Sequence, residues 1–155
     1  MGTWNSLHIE HGEIFTKVNL LEKALMDVLQ KNMAEQTKAI DEQKDFLDAF
    51  KQGITLHFMV EKEALFPEVI KMGQTAKTLV DELLLQHQSI MEKYSLIVQG
   101  SGTNEEKVQI LLDMAKELAV HAQKEERYVY PIVKQMSLEQ LKEVDLVSKR
   151  LGYQV

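Results

Sequence analysis

A chain of 155 residues with 45% hydrophobic and 27% charged residues has the balance of a folded globular protein and enough length to bury a sizeable core. Eighteen basic against twenty-four acidic residues give a net charge of −6, with no basic block to meet nucleic acid or an anionic membrane surface. The sequence has no cysteine, which excludes disulfides, thiolate metal sites and thiol nucleophiles, and only seven glycines and two prolines, too few for a turn-rich β fold.

Breakers divide the chain into four long segments and a tail. The first runs from about Asn5 to about Met33. After a polar stretch, Ala34 to Lys38, the second covers about Ile40 to Lys71. Gly73 as a C-cap and Thr75 as an N-cap make Met72–Thr75 a tight connection to the third, which reaches about Gln99. Gly100-Ser101-Gly102 breaks the chain, and Thr103 with Glu106 is a capping-box signature opening the fourth, to about Met136. Ser137 with Gln140 offers a second box for a short tail helix over about 138–149, which could fold over the bundle or form a dimer contact. No segment alternates with period two. The expected architecture is all-α: one domain over 1–155, an up-down-up-down four-helix bundle with a short C-terminal helix.

Positions three and four apart define the core stripe of each helix. The stripes read Leu7, His11, Ile14, Val18, Leu21, Leu25, Val28; then Phe46, Phe50, Ile54, His57, Glu61, Ala64. The third gives Val80, Leu83, His87, Ile90, Tyr94, Ile97, and the fourth Leu111, Met114, Leu118, His121, Glu125, Tyr128, Ile132. Only His11, His57, Glu61, His87, His121 and Glu125 interrupt them. Burying uncompensated carboxylates and imidazoles costs several kcal/mol or more per charge, on the order set by desolvation. No Lys or Arg lies on the stripes, so a cation other than a side chain is the natural counter-charge, and imidazole with carboxylate suits iron, manganese or zinc.

Helical rise places His57, Glu61 and His87 at roughly the same height, whereas His121 computes more than a turn further from its connection, about 6–8 Å. Tilt or a late start to the fourth helix is needed there. The two halves also repeat: His57 and His121 are each followed by Glu four, an aromatic nine and Pro ten residues later (Glu61, Phe66, Pro67; Glu125, Tyr130, Pro131), and each unit follows a lone inward His, His11 or His87. A duplicated helix pair of this kind makes a pseudo-symmetric dinuclear site, and the prolines are expected to end or kink their helices.

This pattern, from about Leu7 to Pro131, resembles the hemerythrin-like (HHE cation-binding) family. The resemblance implies a non-haem di-iron centre with His11, His57, His87 and His121 as terminal ligands and Glu61 and Glu125 bridging two Fe ions that share an oxo or hydroxo bridge, Mn or Zn being able to use the same ligands. Oxygen-carrying hemerythrins add a fifth His on the third helix and use His-x4-Asp on the fourth. Here Leu83 and Met91 flank His87, and Glu126 is turned about 140° from His121, so Glu125 is the preferred ligand. Four His and two Glu are more similar to the di-iron proteins of nitrosative stress and iron–sulfur repair, without their cysteine-bearing segment, and to iron-sensing domains.

The function implied is binding of O2, peroxide or NO at an open position beside Leu83, Ile90, Ile54 and Leu118. A binding protein is favoured, with peroxide or NO reduction by a redox partner as the enzymatic version. The alternatives are a repair or iron-donor protein in nitrosative or oxidative stress and an iron-responsive interaction module. His8 is expected at the surface or bundle end, with an extra ligand as its minor role. Tyr94 and Tyr128 are expected in the core or donating to a bound ligand, Met91 and Met114 filling gaps, and Trp4 capping the bundle end. No apolar run approaches the roughly 20 residues of a membrane span, and Met1–Glu13 does not read as a signal peptide, so a cytoplasmic location is expected.

Overall fold

The computed structural model describes residues 2–155, apart from the side chains of residues 49 and 50, so Phe50 of the second stripe lies outside the described side chains. The described residues are predominantly helical, with no strand among them. Four long helices form the up-down-up-down bundle: α1 (Thr3–Leu25), α2 (Met33–Val60), α4 (Gln74–Gln99) and α5 (Asn104–Lys124). Short helices α3 (Phe66–Ile70) and α6 (Tyr130–Val133) continue α2 and α5, and α7 (Leu138–Arg150) closes the chain. No helix is long and apolar enough to cross a membrane.

The first connection differs from the sequence expectation. Helix α1 ends at Leu25, Asp27 takes a left-handed conformation (φ 61°), and a 3-10 turn over Val28–Gln30 leads to Asn32. The Asn32 side chain accepts from the Glu35 N–H and starts α2, so Ala34–Lys38 is the first helical stretch rather than a loop. Gly73, at φ 130°, rather than Thr75, is the N-cap of α4, a backbone angle glycine adopts without strain. Thr103 caps α5 by accepting from Glu106 N–H, and Ser137 with Gln140 forms a full capping box. Helix α5 starts on time at Asn104, so a late start does not explain the height of His121. Its first turn meets the start of α2 instead, where Asn104 donates to Gln36.

The stripes of α1 and α4 are buried as expected. In the first half of α2 the core positions are Ile40 and Leu47, with Phe46 half-buried. The interior divides into two apolar clusters. One, around Ile14, Leu21, Ile90 and Leu111, fills the end near the α1–α2 turn; the other, around Leu7, Phe66, Leu83 and Val133, fills the opposite end. Helix α7 folds over that second end. Asp145 accepts from the Thr3 N–H and hydroxyl, both at 2.7 Å, and thereby compensates the exposed N–H groups at the start of α1.

Each proline is handled by a π-helical turn just before it, at Glu61–Leu65 and at Glu125–Val129. Pro67 and Pro131 lack an N–H and would crowd the carbonyl four residues back. The wider turn accommodates this, with Phe66 and Tyr130 N–H groups bonding five residues back to Glu61 and Glu125 carbonyls. The helices therefore continue past the prolines for one further turn. The extra residue also shifts the inward face, so Val129 and Val133 are buried while Tyr128 is exposed, contrary to the expected stripe.

Candidate metal centre

His11 comes from α1, His57 from α2, His87 from α4 and His121 from α5, while Glu61 and Glu125 are the first residues of the two π turns. All six side chains are buried, the carboxylates completely. They fall into two overlapping quartets, His11, His57, Glu61, Glu125 and Glu61, His87, His121, Glu125, within each of which one potential ligand atom per residue lies within 4.8 Å of the others. The six stripe-interrupting residues are thus brought into one layer between the two apolar clusters.

The carboxylates divide their oxygens between the quartets. Glu61 Oε2 lies 3.5 Å from His57 Nε2 and 3.9 Å from His11 Nε2, whereas Oε1 lies 3.0 Å from His87 Nε2 and 3.6 Å from His121 Nε2. Glu125 Oε2 is 3.0 Å from His11 Nε2, and its Oε1 is 2.5 Å from His121 Nε2. His87 Nε2 is within hydrogen-bond distance of Glu61 Oε1 and of His121 Nε2 (2.9 Å), but His11 Nε2, His57 Nε2, Glu61 Oε2 and both Glu125 oxygens are buried without a hydrogen-bond partner. Five such atoms in one layer would be costly in a finished core, since each unsatisfied buried polar group costs about 1–3 kcal/mol. A divalent cation among imidazole nitrogens and carboxylate oxygens fits that donor set.

The outer ring nitrogens fix which inner nitrogen faces the centre. His11 Nδ1 donates to Glu126 (3.0 Å), His57 Nδ1 to Glu10 (2.8 Å) and His121 Nδ1 to the Gln86 amide oxygen (2.9 Å). In the neutral rings this leaves the Nε2 lone pairs pointing inward, as metal ligation requires. Glu10 also accepts from the Tyr153 hydroxyl at 2.5 Å, which ties the end of the chain to His57. The rings are wedged by aromatics: Phe58 stacks on His87 at 3.9 Å, and Trp4 meets His11 edge-on at 5.8 Å while stacking on Tyr130.

Without a cation, protons take its place. Burial alone would depress His11, but the Glu125 and Glu61 carboxylates outweigh it and push His11 up to about 11. His57 and His121 rise to about 9 for the same reason, burial opposing and acidic neighbours prevailing, chiefly Glu61 for His57 and Glu125 for His121. Burial would raise Glu61, yet the imidazoles around it, His57 first, hold it well below the usual carboxylate range.

Other expectations sort differently. His8 is exposed and pairs with Glu126 rather than entering the layer. The Tyr94 hydroxyl donates to Asp48, away from the centre, and Tyr128 is at the surface. Met114 fills the core and Met91 packs against it. Ile54, Ile90 and Leu118 line a small apolar pocket together with Leu47 and Met114, but Leu83 belongs to the other end of the bundle. Glu10, Gln86 and Tyr153 are not legible as site residues, and Glu126 enters the sequence reading only as the ligand set aside in favour of Glu125. The only signal available was that a polar residue directly precedes each lone inward His and that an acid directly follows Glu125.

A search of curated proteins returns no match to the chain. The family described as Hemerythrin HHE cation binding domain matches residues 3–94, more than half of the chain, spanning His11, His57, Glu61 and His87. With that match and a buried His/Glu layer that also draws His121 and Glu125 from beyond it, the chain belongs to the hemerythrin HHE cation-binding domain family.

Proposed function

We propose that the chain holds two metal ions, iron in the cell, with His11, His57, His87 and His121 as terminal ligands and Glu61 and Glu125 bridging, and that it binds or reacts with O2, peroxide or NO at this centre. The observation that carries the reading is the set of five buried, unpartnered nitrogen and oxygen atoms, with each carboxylate offering one oxygen to each histidine pair. A pair of iron ions so held supplies reversible redox change and a coordination position open to a small ligand.

The protein residues have definable parts in this. Glu10, Gln86 and Glu126 hold three imidazoles in the tautomer that presents Nε2 inward. Phe58, Phe66, Leu83 and Ile90 keep the layer dry from the two ends, which strengthens every charge interaction within it. The reading treats α7 and the tail as part of one domain, supported by the Thr3–Asp145 and Glu10–Tyr153 bonds, and places the protein in the cytoplasm, in keeping with a cysteine-free sequence.

Metal content and the optical spectrum of the isolated protein, before and after dithionite, test the proposal. About two irons per chain, from the six-ligand layer, with a spectrum that bleaches on reduction and changes on adding O2 or NO, is expected. A chain that carries no iron and takes none up after reconstitution would overturn it. A metal-responsive module is the second reading, because the layer draws ligands from α1, α2, α4 and α5 at once. A melt unchanged by metal would remove it.

A further inference from the structure

The duplicated motif invites a position-by-position comparison of what stands behind each ligand. In the first half the residue before the lone inward His is Glu10, and it accepts from His57 across the helix pair. The same place in the second half is Gln86, and it accepts from His121 in the same way. The residue after the second-half acid is Glu126, which accepts from His11. The residue after the first-half acid is Lys62, which lines a surface groove with His87, Phe58, Leu84 and Gln88. The pattern of contacts is two-fold; the chemistry is not. Two carboxylates back His11 and His57, whereas an amide and an ammonium group stand where their counterparts would back His121 and His87.

We infer that the two cation positions are unequal: the position between His11 and His57 fills first and holds its ion tightly, and the position between His87 and His121 holds a weaker, exchangeable one. This rests on the dinuclear reading above. A carboxylate accepting from Nδ1–H raises the basicity of the imidazole and adds negative charge near the cation, and losing such a partner costs about 10–100-fold in metal affinity. Hydrogen bonds to an ionised acceptor are roughly twice as strong as neutral ones, so the Gln86 amide gives only part of this. No described carboxylate supports the outer side of the His87 ring, which instead stacks on Phe58. His87 is also the most accessible of the four histidines, 7% exposed against 1% for His11, His57 and His121. The Tyr153 hydroxyl donates to Glu10 and so holds the carboxylate behind His57 in place.

Titration of the metal-free, full-length chain with Co(II), followed by its visible absorption and by competition with a chelator, reads the two affinities separately. Two resolved steps are expected, about 100-fold or more apart, the product of the two partner effects. Glu10→Gln and Glu126→Gln should each weaken the first step by about 10-fold or more and leave the second in place. Gln86→Glu and Lys62→Glu should do the reverse, tightening the second step and closing the gap. Because these last two are gains, loss of fold cannot imitate them. Radiolabelled or isotopically distinct Co(II) should exchange one equivalent quickly and one slowly. Two steps of equal strength would overturn the inequality, and a gap that neither Gln86→Glu nor Lys62→Glu narrows would overturn its origin in these partner residues, the dinuclear centre standing in both cases. No Co(II) uptake at all would overturn both.

Discussion

Along α5, residues from Val108 to Leu118 turn aliphatic and sulfur side chains inward, while His121 and, at the helix end, Glu125 turn polar ones into the same interior. The first region is held by packing that the chain supplies alone: Leu111, Met114 and Leu118 against Ile14, Ile90 and Ile97. The second contains groups that packing cannot satisfy, five polar atoms lacking partners. The difference is one of dependence. Apolar burial stabilises the bundle whatever the solution contains, whereas the polar layer takes its stability from what binds there, a cation or, failing that, protons.

Metal removal should separate the two regions most sharply. A ligand present at a thousand times its Kd stabilises by about 4 kcal/mol, and at this chain length 1 kcal/mol moves Tm by about 2–4 °C. Stripping the metal should therefore lower Tm by on the order of 10 °C, read by circular dichroism with and without chelator. His57→Ala and Glu125→Ala should lose metal and show the low Tm even with metal added.

Leu111→Ala attacks the other region. Leu111 is 1% exposed, and Leu→Ala at such a site costs about 2–5 kcal/mol. The expected result is a lower Tm with metal content unchanged, because no ligand touches the cavity. Metal loss in this variant, measured on protein still folded, would show that the two regions are not independent.

The reading of the sequence succeeded where a periodicity carried the information. Three- and four-residue spacing picked out all six layer residues because an inward polar side chain on an apolar stripe is conspicuous. It failed where the backbone changed period. The π turn at Glu125–Val129 inserts a residue into the count, so Val129 rather than Tyr128 faces inward. It also failed where a turn was made without glycine or proline: Asp27 in a left-handed conformation and the Asn32 cap have no strong composition signal. Glu10, Gln86 and Glu126 lie beside the stripes, where the three- and four-residue spacing assigns no inward contact. Only the packed geometry shows that each reaches a histidine on another helix.

Acidity offers a gentler way to tell the regions apart. In the metal-free chain His57 and His121 rise from 6.5 to about 9, so their stabilising pairing is complete below the unfolded value and is lost as pH rises through about 9. Glu61 is held low, so its contribution is present above its unfolded value of 4.5 and is lost only as pH falls below that. The metal-free Tm should therefore decline as pH is raised from about 6.5 towards 9 and beyond, following those same shifts. Because the cation must displace these protons, apparent metal affinity should increase over the same interval. Leu111→Ala should leave both slopes unchanged, since its cost is apolar. A metal-free melt flat across this range would mean that protons do not occupy the layer.

The smallest effect belongs to His8, one turn from His11 and expected from the sequence at the surface or bundle end, with an extra ligand as its minor role. Its side chain is 59% exposed and its contact is with Glu126, not with the layer. An exposed pair of this kind is screened by solvent, and surface substitutions usually change stability by no more than about 0.5 kcal/mol. His8→Ala should leave Tm within about 2 °C of the parent and the metal count unchanged. Glu126 keeps its second oxygen on His11 Nδ1 in that variant, so the support behind the ligand survives the loss of the outer partner. Loss of one metal equivalent from His8→Ala would instead make His8 a ligand, and the polar layer would then reach the protein surface rather than being sealed between its two apolar clusters.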